Sequence, residues 1–243
     1  MMQKSLLANI TVNIIVFICA LIGVLATFFG VSGLMTGTSI LYYTIQSNIW
    51  IGLTSLAFAM MQIISLRKKI FKIPDWLYVI KYVFVVAITL TMVVFWLLLA
   101  PTIRLPSYLV SPSNLFAHTL TPIMAIVSFL LFDSRSHKLK KKTSLFSLAT
   151  PIYYFLFAFI SSLSGVNFHL YKMPYFFLDF YEFGWFSHAT YSNLYTFSSF
   201  GIFYWIIIIL IFIFLMGYGY MFLSRFLYQQ AHSKMSILEV SAK

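Results

Sequence analysis

Apolar positions in this chain form continuous runs rather than stripes or alternations. They extend over Leu6 to Phe29, Leu41 to Leu66, Leu77 to Ala100, Leu115 to Phe132, Leu145 to Val166 and Phe200 to Leu227, separated by short polar stretches. A bilayer core takes about 20 apolar residues per helix. The pattern therefore predicts an all-α polytopic bundle of six transmembrane helices, a single domain over residues 1–243 that closes in a polar tail at 228–243. The first run is too long for the apolar core of a signal peptide and ends in TFFGVSG without a small-residue cleavage site, so it reads as a retained helix. Helices 1 to 3 do not repeat in helices 4 to 6, which argues against an inverted-repeat transporter.

Composition agrees with the pattern and excludes a soluble fold. Hydrophobic residues make up 61% and charged residues 9%, with mean hydropathy +0.93, whereas soluble domains carry roughly 25% charged residues. The net charge of +11 comes from sixteen Lys and Arg against five Asp and Glu. These basic residues are too dispersed to form a nucleic-acid groove, so no nucleic-acid partner is expected, and they act as an orientation signal. Lys4 precedes helix 1; Arg67, Lys68, Lys69 and Lys72 follow helix 2; Arg135, Lys138, Lys140, Lys141 and Lys142 follow helix 4; Arg225, Lys234 and Lys243 close the chain. Only Arg104 and Lys172 fall on the other side, and Lys81 lies near a helix end from which it can snorkel. The positive-inside rule then predicts both termini in the cytoplasm of a cell-membrane protein, with the HKLKKK run attracted to anionic lipid. The aromatic-rich outer loop between helices 5 and 6, Asn167 to Ser199, is expected to pack as a lid or interfacial cap.

Polar groups inside a bilayer are costly, and each is a functional hypothesis. By these boundaries no Asp or Glu falls within a span, and His118 is the one intramembrane group of catalytic type. It lies in SPSNLFAHTLTP, where Ser111 is the expected cap and Pro112 the first helical residue, about 10 Å into helix 4 at 1.5 Å per residue. Asn114 shares its face, and Pro122, lacking an N–H, leaves the His118 carbonyl without a helical donor. Helix 2 begins TGTSILYYTIQSN, with Thr38 or Ser39 as the expected cap, so Thr44 sits roughly 8 to 9 Å deep from the same side. Ser47 and Asn48 follow it, Asn48 one turn on and on the same face.

A hydroxyl beside an imidazole is the core of a nucleophile and general-base pair. The group that orients the imidazole would be an Asn side chain, a backbone carbonyl, or Asp179 or Glu182 folding down from the outer loop. The bland alternative is that these polar residues only bond neighbouring helices. That is also the reading of Asn9 and Asn13, while Gly217 and Gly219 are expected to permit close packing. His169, Asp179, Glu182 and His188 match no zinc spacing, so no metal or cofactor is expected. The lone Cys19 excludes an intrachain disulfide.

YYTIQSN, NLFAHTLTP and MPYFFLDFYEFGW resemble the androgen-induced and androgen-dependent transmembrane proteins and their prokaryotic relatives. The resemblance implies a six-span threonine hydrolase of fatty acid esters of hydroxy fatty acids. Thr44 then stands at the family threonine, His118 at the family histidine and Pro122 at the proline after it. Ile45 and Gln46 look closer to the prokaryotic relatives. The expected partner is therefore a membrane lipid or other acyl-ester substrate, with Ser47, Asn48 and Asn114 as supporting residues. The rival readings are a small-solute or lipid transporter using the same polar pocket, and a non-catalytic membrane protein.

Overall fold

The computed structural model describes residues 2–29, 37–68, 73–102, 106–169, 171–186 and 201–241. Among these residues, six helices are long and apolar enough to cross a membrane. They are α1 (Met2–Phe29), α2 (Tyr43–Lys68), α3 (Asp75–Leu99), α4 (Pro112–Ser136), α5 (Lys141–Leu163) and α6 (Ile202–Ser241). The chain is a multi-pass integral membrane protein. Residues 228–241 prolong α6 as helix.

Burial is distributed as a lipid solvent demands. Leu21, Leu53, Leu97, Ile160, Ile211 and Leu215 face outward, while Asn13, Ser47, Asn48, Ser55, Gln62 and Thr121 are sealed inside. In water the reverse would hold; in hydrocarbon each polar group must find its partners within the bundle. The core is centred on α3, whose Tyr82, Val85, Val86 and Ile88 pack with Val16 of α1, Ile51 of α2, Phe129 of α4, Ala158 of α5 and Ile213 of α6.

One close approach in the bundle depends on a missing side chain. A Cβ at Gly217 would lie 2.5 Å from the Ser147 side chain, and the Gly217 carbonyl accepts a hydrogen bond from Tyr82 at 2.8 Å. Gly219, expected to serve the same purpose, has nothing within 4 Å of such a Cβ. The two glycines are separated by about 200° around the helix, so only one faces α3 and α5.

Two features differ from the hydropathy reading in a way that bears on charge. The α4 helix does not stop at Phe132 but continues to Ser136, so Asp133 lies inside a span. Lys81, expected to snorkel, is instead 0% exposed. Both corrections have one physical cause. Lys81 and Asp133 form an ion pair, and Lys81 Nζ also donates to Asn13 Oδ1 at 2.6 Å and Ser128 Oγ at 3.0 Å. A charge can remain inside when its opposite charge and its remaining protons are satisfied there.

Three turns are wider than α-helical: Phe95–Leu99 in α3, and Phe116–Leu120 and Phe129–Asp133 in α4. Such π turns concentrate at functional sites. The described part of the α5–α6 loop carries a 3₁₀ turn at Phe176–Leu178 and a short helix at Phe180–Phe183. Its rings pack on the helices, Phe180 against Phe159 of α5 and Phe177 against Trp205 of α6.

Candidate active site

The start of α2 is shaped by Gly37–Leu41, which forms a 3₁₀ turn rather than the first α-turn expected from a cap at Thr38 or Ser39. The α-helix begins at Tyr43, and the Tyr42 carbonyl accepts from the N–H groups of both Ile45 and Gln46. Thr44 is therefore in the first turn of α2, and its N–H and that of Tyr43 belong to the set with no helical acceptor.

The start of α4 is as the sequence reads: Ser111 caps it, its hydroxyl accepting from the Asn114 N–H at 3.4 Å, with Pro112 in the first turn. The π turn that follows changes which carbonyl the proline strands. The Thr121 N–H bonds the Phe116 carbonyl, five residues back. In that register the missing N–H of Pro122 would have served Ala117, one residue before His118. Asn48 of α2 fills the vacancy, donating to the Ala117 carbonyl at 3.1 Å and to the Thr44 carbonyl at 2.8 Å. One amide thus ties together the backbones that carry Thr44 and His118.

Thr44 and His118 line one cavity of about 300 Å³. Its wall comes from Leu90, Thr91, Val94, Phe95 and Leu99 of α3, Pro151, Ile152 and Phe155 of α5, Ile206, Ile209 and Leu210 of α6, and Phe177 and Leu178 of the α5–α6 loop. The lining is mainly apolar, interrupted by Tyr43, Thr44, Thr91, His118, Tyr154 and Tyr175. Because α2 and α4 enter from the end opposite the basic segments at Arg67–Lys68 and Lys138–Lys142, the cavity lies at that opposite end.

His118 is 7% exposed and held on two sides. Its ring stacks on Phe95 with centroids 3.7 Å apart and planes 10° from parallel, which brings the π turns of α3 and α4 face to face. The Thr91 carbonyl lies within hydrogen-bonding reach of the ring, while Nδ1 has no partner. A carbonyl that accepts from one ring nitrogen keeps a proton there and leaves the second nitrogen as an acceptor. The Ser47 hydroxyl links α2 to α3, meeting the Thr91 hydroxyl at 2.7 Å and donating to the Thr44 carbonyl at 3.1 Å.

The remaining candidates fall elsewhere. Asn114 is buried one turn before His118 but does not line the cavity. Asp179 caps the Phe180–Phe183 helix, its Oδ1 accepting from the Tyr181 and Glu182 N–H groups at 3.1 and 3.2 Å. Glu182 is exposed. Against the imidazole stands the Phe95 ring, and neither carboxylate lines the cavity. His188 lies outside the described residues, and among the described residues no three His, Cys, Asp or Glu side chains gather.

Three cavity residues were not anticipated. Thr91 and Phe95 sit in an apolar run with no motif to mark them. Tyr175, in the MPYFF segment, lines the cavity together with Tyr43, Thr44 and Tyr154, its ring packing on that of Tyr154 with centroids 6.1 Å apart. No family model matches the chain, and neither a curated protein nor a solved structure matches it.

Proposed function

We propose that the protein is an intramembrane hydrolase of acyl-lipid esters, with Thr44 as nucleophile and His118 as general base. The observation that carries this reading is the shared cavity: Thr44 and His118 line one largely apolar chamber, and one imidazole nitrogen has no hydrogen-bond partner. Such a chamber suits an acyl chain, as in sites that hold a ligand by its apolar body and orient it by a few polar atoms. The resemblance to the threonine hydrolases points to the same two residues and to fatty acid esters of hydroxy fatty acids as the substrate class. Both termini and the basic segments face the cytoplasm, so the cavity is reached from the outer leaflet.

Thr44 Oγ attacks the ester carbonyl carbon as His118 takes its proton. Collapse of the tetrahedral intermediate breaks the bond to the leaving alcohol, which receives that proton from His118, and leaves an acyl ester on Thr44. Water, deprotonated by His118, then releases the fatty acid and restores the threonine. Asn48 cannot serve as an oxyanion donor in this scheme, because its N–H protons go to the Thr44 and Ala117 carbonyls; it ties the two backbone segments together.

The test is labelling of the purified protein by a fluorophosphonate, which traps an activated hydroxyl, together with hydrolysis of a fatty acid ester of a hydroxy fatty acid. Wild type should label and hydrolyse, and Thr44→Ala and His118→Ala should do neither. Labelling and turnover undiminished in both variants would remove the reading.

A further inference from the structure

The helix type changes within α5. Lys141–Leu148 is a 3₁₀ helix and Ala149–Leu163 an α-helix, with Pro151 in the first α-turn. A 3₁₀ face repeats every third residue and an α face about every 3.6, so the face that carries Ser147 is not continued beyond Leu148. Ser147 is the side chain that closes on Gly217 of α6. Outward of that contact the two helices part: among the described residues, α6 packs along Lys141–Leu148 and hardly against Ala149–Leu163. At the outer end the α5–α6 loop stands between them, with Phe180 against Phe159 of α5 and Phe176 edge-on to Trp205 of α6 at 5.8 Å. The helices are therefore joined at one level by a glycine contact and at another by aromatic rings, with a gap between the two.

The cavity that holds Thr44 and His118 extends to this gap, taking Ile152 and Leu156 from α5 and Ile206 and Leu210 from α6 into its wall. Ile152 and Leu156 are 43% and 50% exposed, whereas every other lining residue is buried or half-buried. A side chain both lines a chamber and faces the bilayer only at the chamber's rim, so the rim lies on α5 beside the gap. At about 1.5 Å per residue, Leu156 and Ile152 are about 10 and 16 Å from the outer end of α5 at Leu163, and Ile206 and Leu210 about 6 and 12 Å from that of α6 at Ile202. These depths overlap. In a hydrocarbon core about 30 Å thick they are the level of the outer-leaflet acyl chains, in the orientation set out above.

We propose that the gap between α5 and α6 is a lateral portal for an acyl chain, with Ile152 and Leu156 on one lip and Ile206 and Leu210 on the other, and that these lips determine which acyl chains the site accepts. The occupant is the acyl chain of an outer-leaflet ester; that this ester is a substrate rests on the hydrolase reading above. All four lip side chains are aliphatic, so the chain passes from lipid to cavity without meeting water or a charge, and each methylene keeps the hydrophobic stabilisation it has in the bilayer. With the ester group beside Thr44 and His118, the tail of a long chain lies between the lips, and a short acyl group does not reach them.

The experiment uses the full chain in phosphatidylcholine vesicles, as wild type, Leu156→Trp, Leu210→Trp and Leu215→Trp. The last is a control on α6, exposed to lipid and outside the cavity wall. Two readouts are taken: hydrolysis of the palmitoyl and acetyl esters of one hydroxy fatty acid, and photolabelling by an ether analogue of the palmitoyl ester that carries a diazirine at the tail of the sixteen-carbon chain. Labelling of wild type should fall on Ile152, Leu156, Ile206 and Leu210 and be suppressed by excess unlabelled analogue. One methylene in an apolar pocket is worth about tenfold or more in discrimination, so either lip variant should lower kcat/KM for the palmitoyl ester by at least that factor. The acetyl ester, and both esters with Leu215→Trp, should keep wild-type values. Suppressible labelling confined to other residues overturns the portal, and so do lip variants that process both esters as wild type does or lose both equally. A wild type that hydrolyses neither ester but is labelled on the lips overturns the hydrolase reading and supports the portal as a lipid site.

Discussion

Lys81 and Asp133 face each other across α3 and α4 with both side chains withdrawn from all solvent. The three ammonium protons have three acceptors, in Asp133, Asn13 and Ser128, and the Phe58 ring lies 4.3 Å from the nitrogen. Asn13 in turn donates to Asn9 Oδ1 at 2.8 Å and approaches Gln62 Oε1 at 3.5 Å. Four helices therefore converge on one charge, at the end of the bundle away from the cavity. This is also why the acid counts for little in favour of a transporter: the carboxylate is neutralised in place by a lysine of the neighbouring helix.

Lys81→Met leaves Asp133 buried and unpaired, and breaking a buried pair from one side costs about 3 to 5 kcal/mol. Replacing both partners by apolar residues of similar size removes that penalty. Thermal unfolding in detergent should show a large fall in Tm for Lys81→Met and for Asp133→Leu alone, and recovery of most of it in the Lys81→Met, Asp133→Leu double variant. Additive losses in the double variant would show that the two residues do not act as a pair.

Asn48→Leu removes the donor that the π turn and Pro122 make necessary. The Ala117 carbonyl is then buried without a partner, at a cost of about 1 to 3 kcal/mol, and the tie between the Thr44 and His118 backbones is lost. The variant should have a lower Tm and a turnover falling by more than its loss of folded protein explains. Turnover per folded molecule equal to wild type would confine Asn48 to stability.

The six spans were legible because each apolar run is long enough to settle the matter by itself, and hydropathy needs no knowledge of neighbours. The pair Lys81 and Asp133 was not legible for the same reason. Hydropathy prices each residue as if alone, so the run was closed at Phe132 and the lysine was sent toward the interface, although their charges cancel once α3 and α4 pack. Thr44 and His118 stood out through polarity and matched depth, and Ser111 through capping chemistry. Their surroundings did not. Phe95 and Thr91 resemble any residues of an apolar helix until α3 packs against His118, and Tyr175 joins Thr44 in the cavity wall only through the folding of the α5–α6 loop. The proline signal was readable but its consequence moved by one residue, because a π turn shifts the register of the missing N–H from His118 to Ala117.

Gly23 sets how closely α1 approaches the turn that carries His118. A Cβ there would lie 3.0 Å from the Ala117 nitrogen and 3.2 Å from its Cα, and those are backbone atoms fixed by the turn itself. Gly23→Val should force α1 away from α4, with overpacking costing about 1 to 3 kcal/mol, and should disturb the Ala117 to Asn48 bond. A Tm drop for Gly23→Val that is absent from a valine substitution at Gly219, where nothing lies within 4 Å, would confirm that contact rather than helix propensity is responsible.

Asp179 separates capping from catalysis. If its carboxylate oriented His118, Asp179→Asn would remove the charge that orientation needs and lower kcat. As the cap of the Phe180–Phe183 helix, its oxygen accepts two backbone N–H groups, and an asparagine oxygen does the same, so Asp179→Asn should keep both fold and turnover while Asp179→Ala loses about 1 kcal/mol. The pH dependence gives a second readout. Burial raises the Asp179 pKa above its ordinary value, against the opposing pull of the Glu182 and Tyr181 N–H groups and Lys172. A folded-state pKa above the unfolded one means that the contribution to stability is complete below the unfolded value of 3.8 and is lost as pH rises through the folded one. The wild type should therefore shed some stability over the range just above pH 3.8 that Asp179→Asn does not, in thermal unfolding followed against pH, while the two proteins turn over substrate equally at neutral pH.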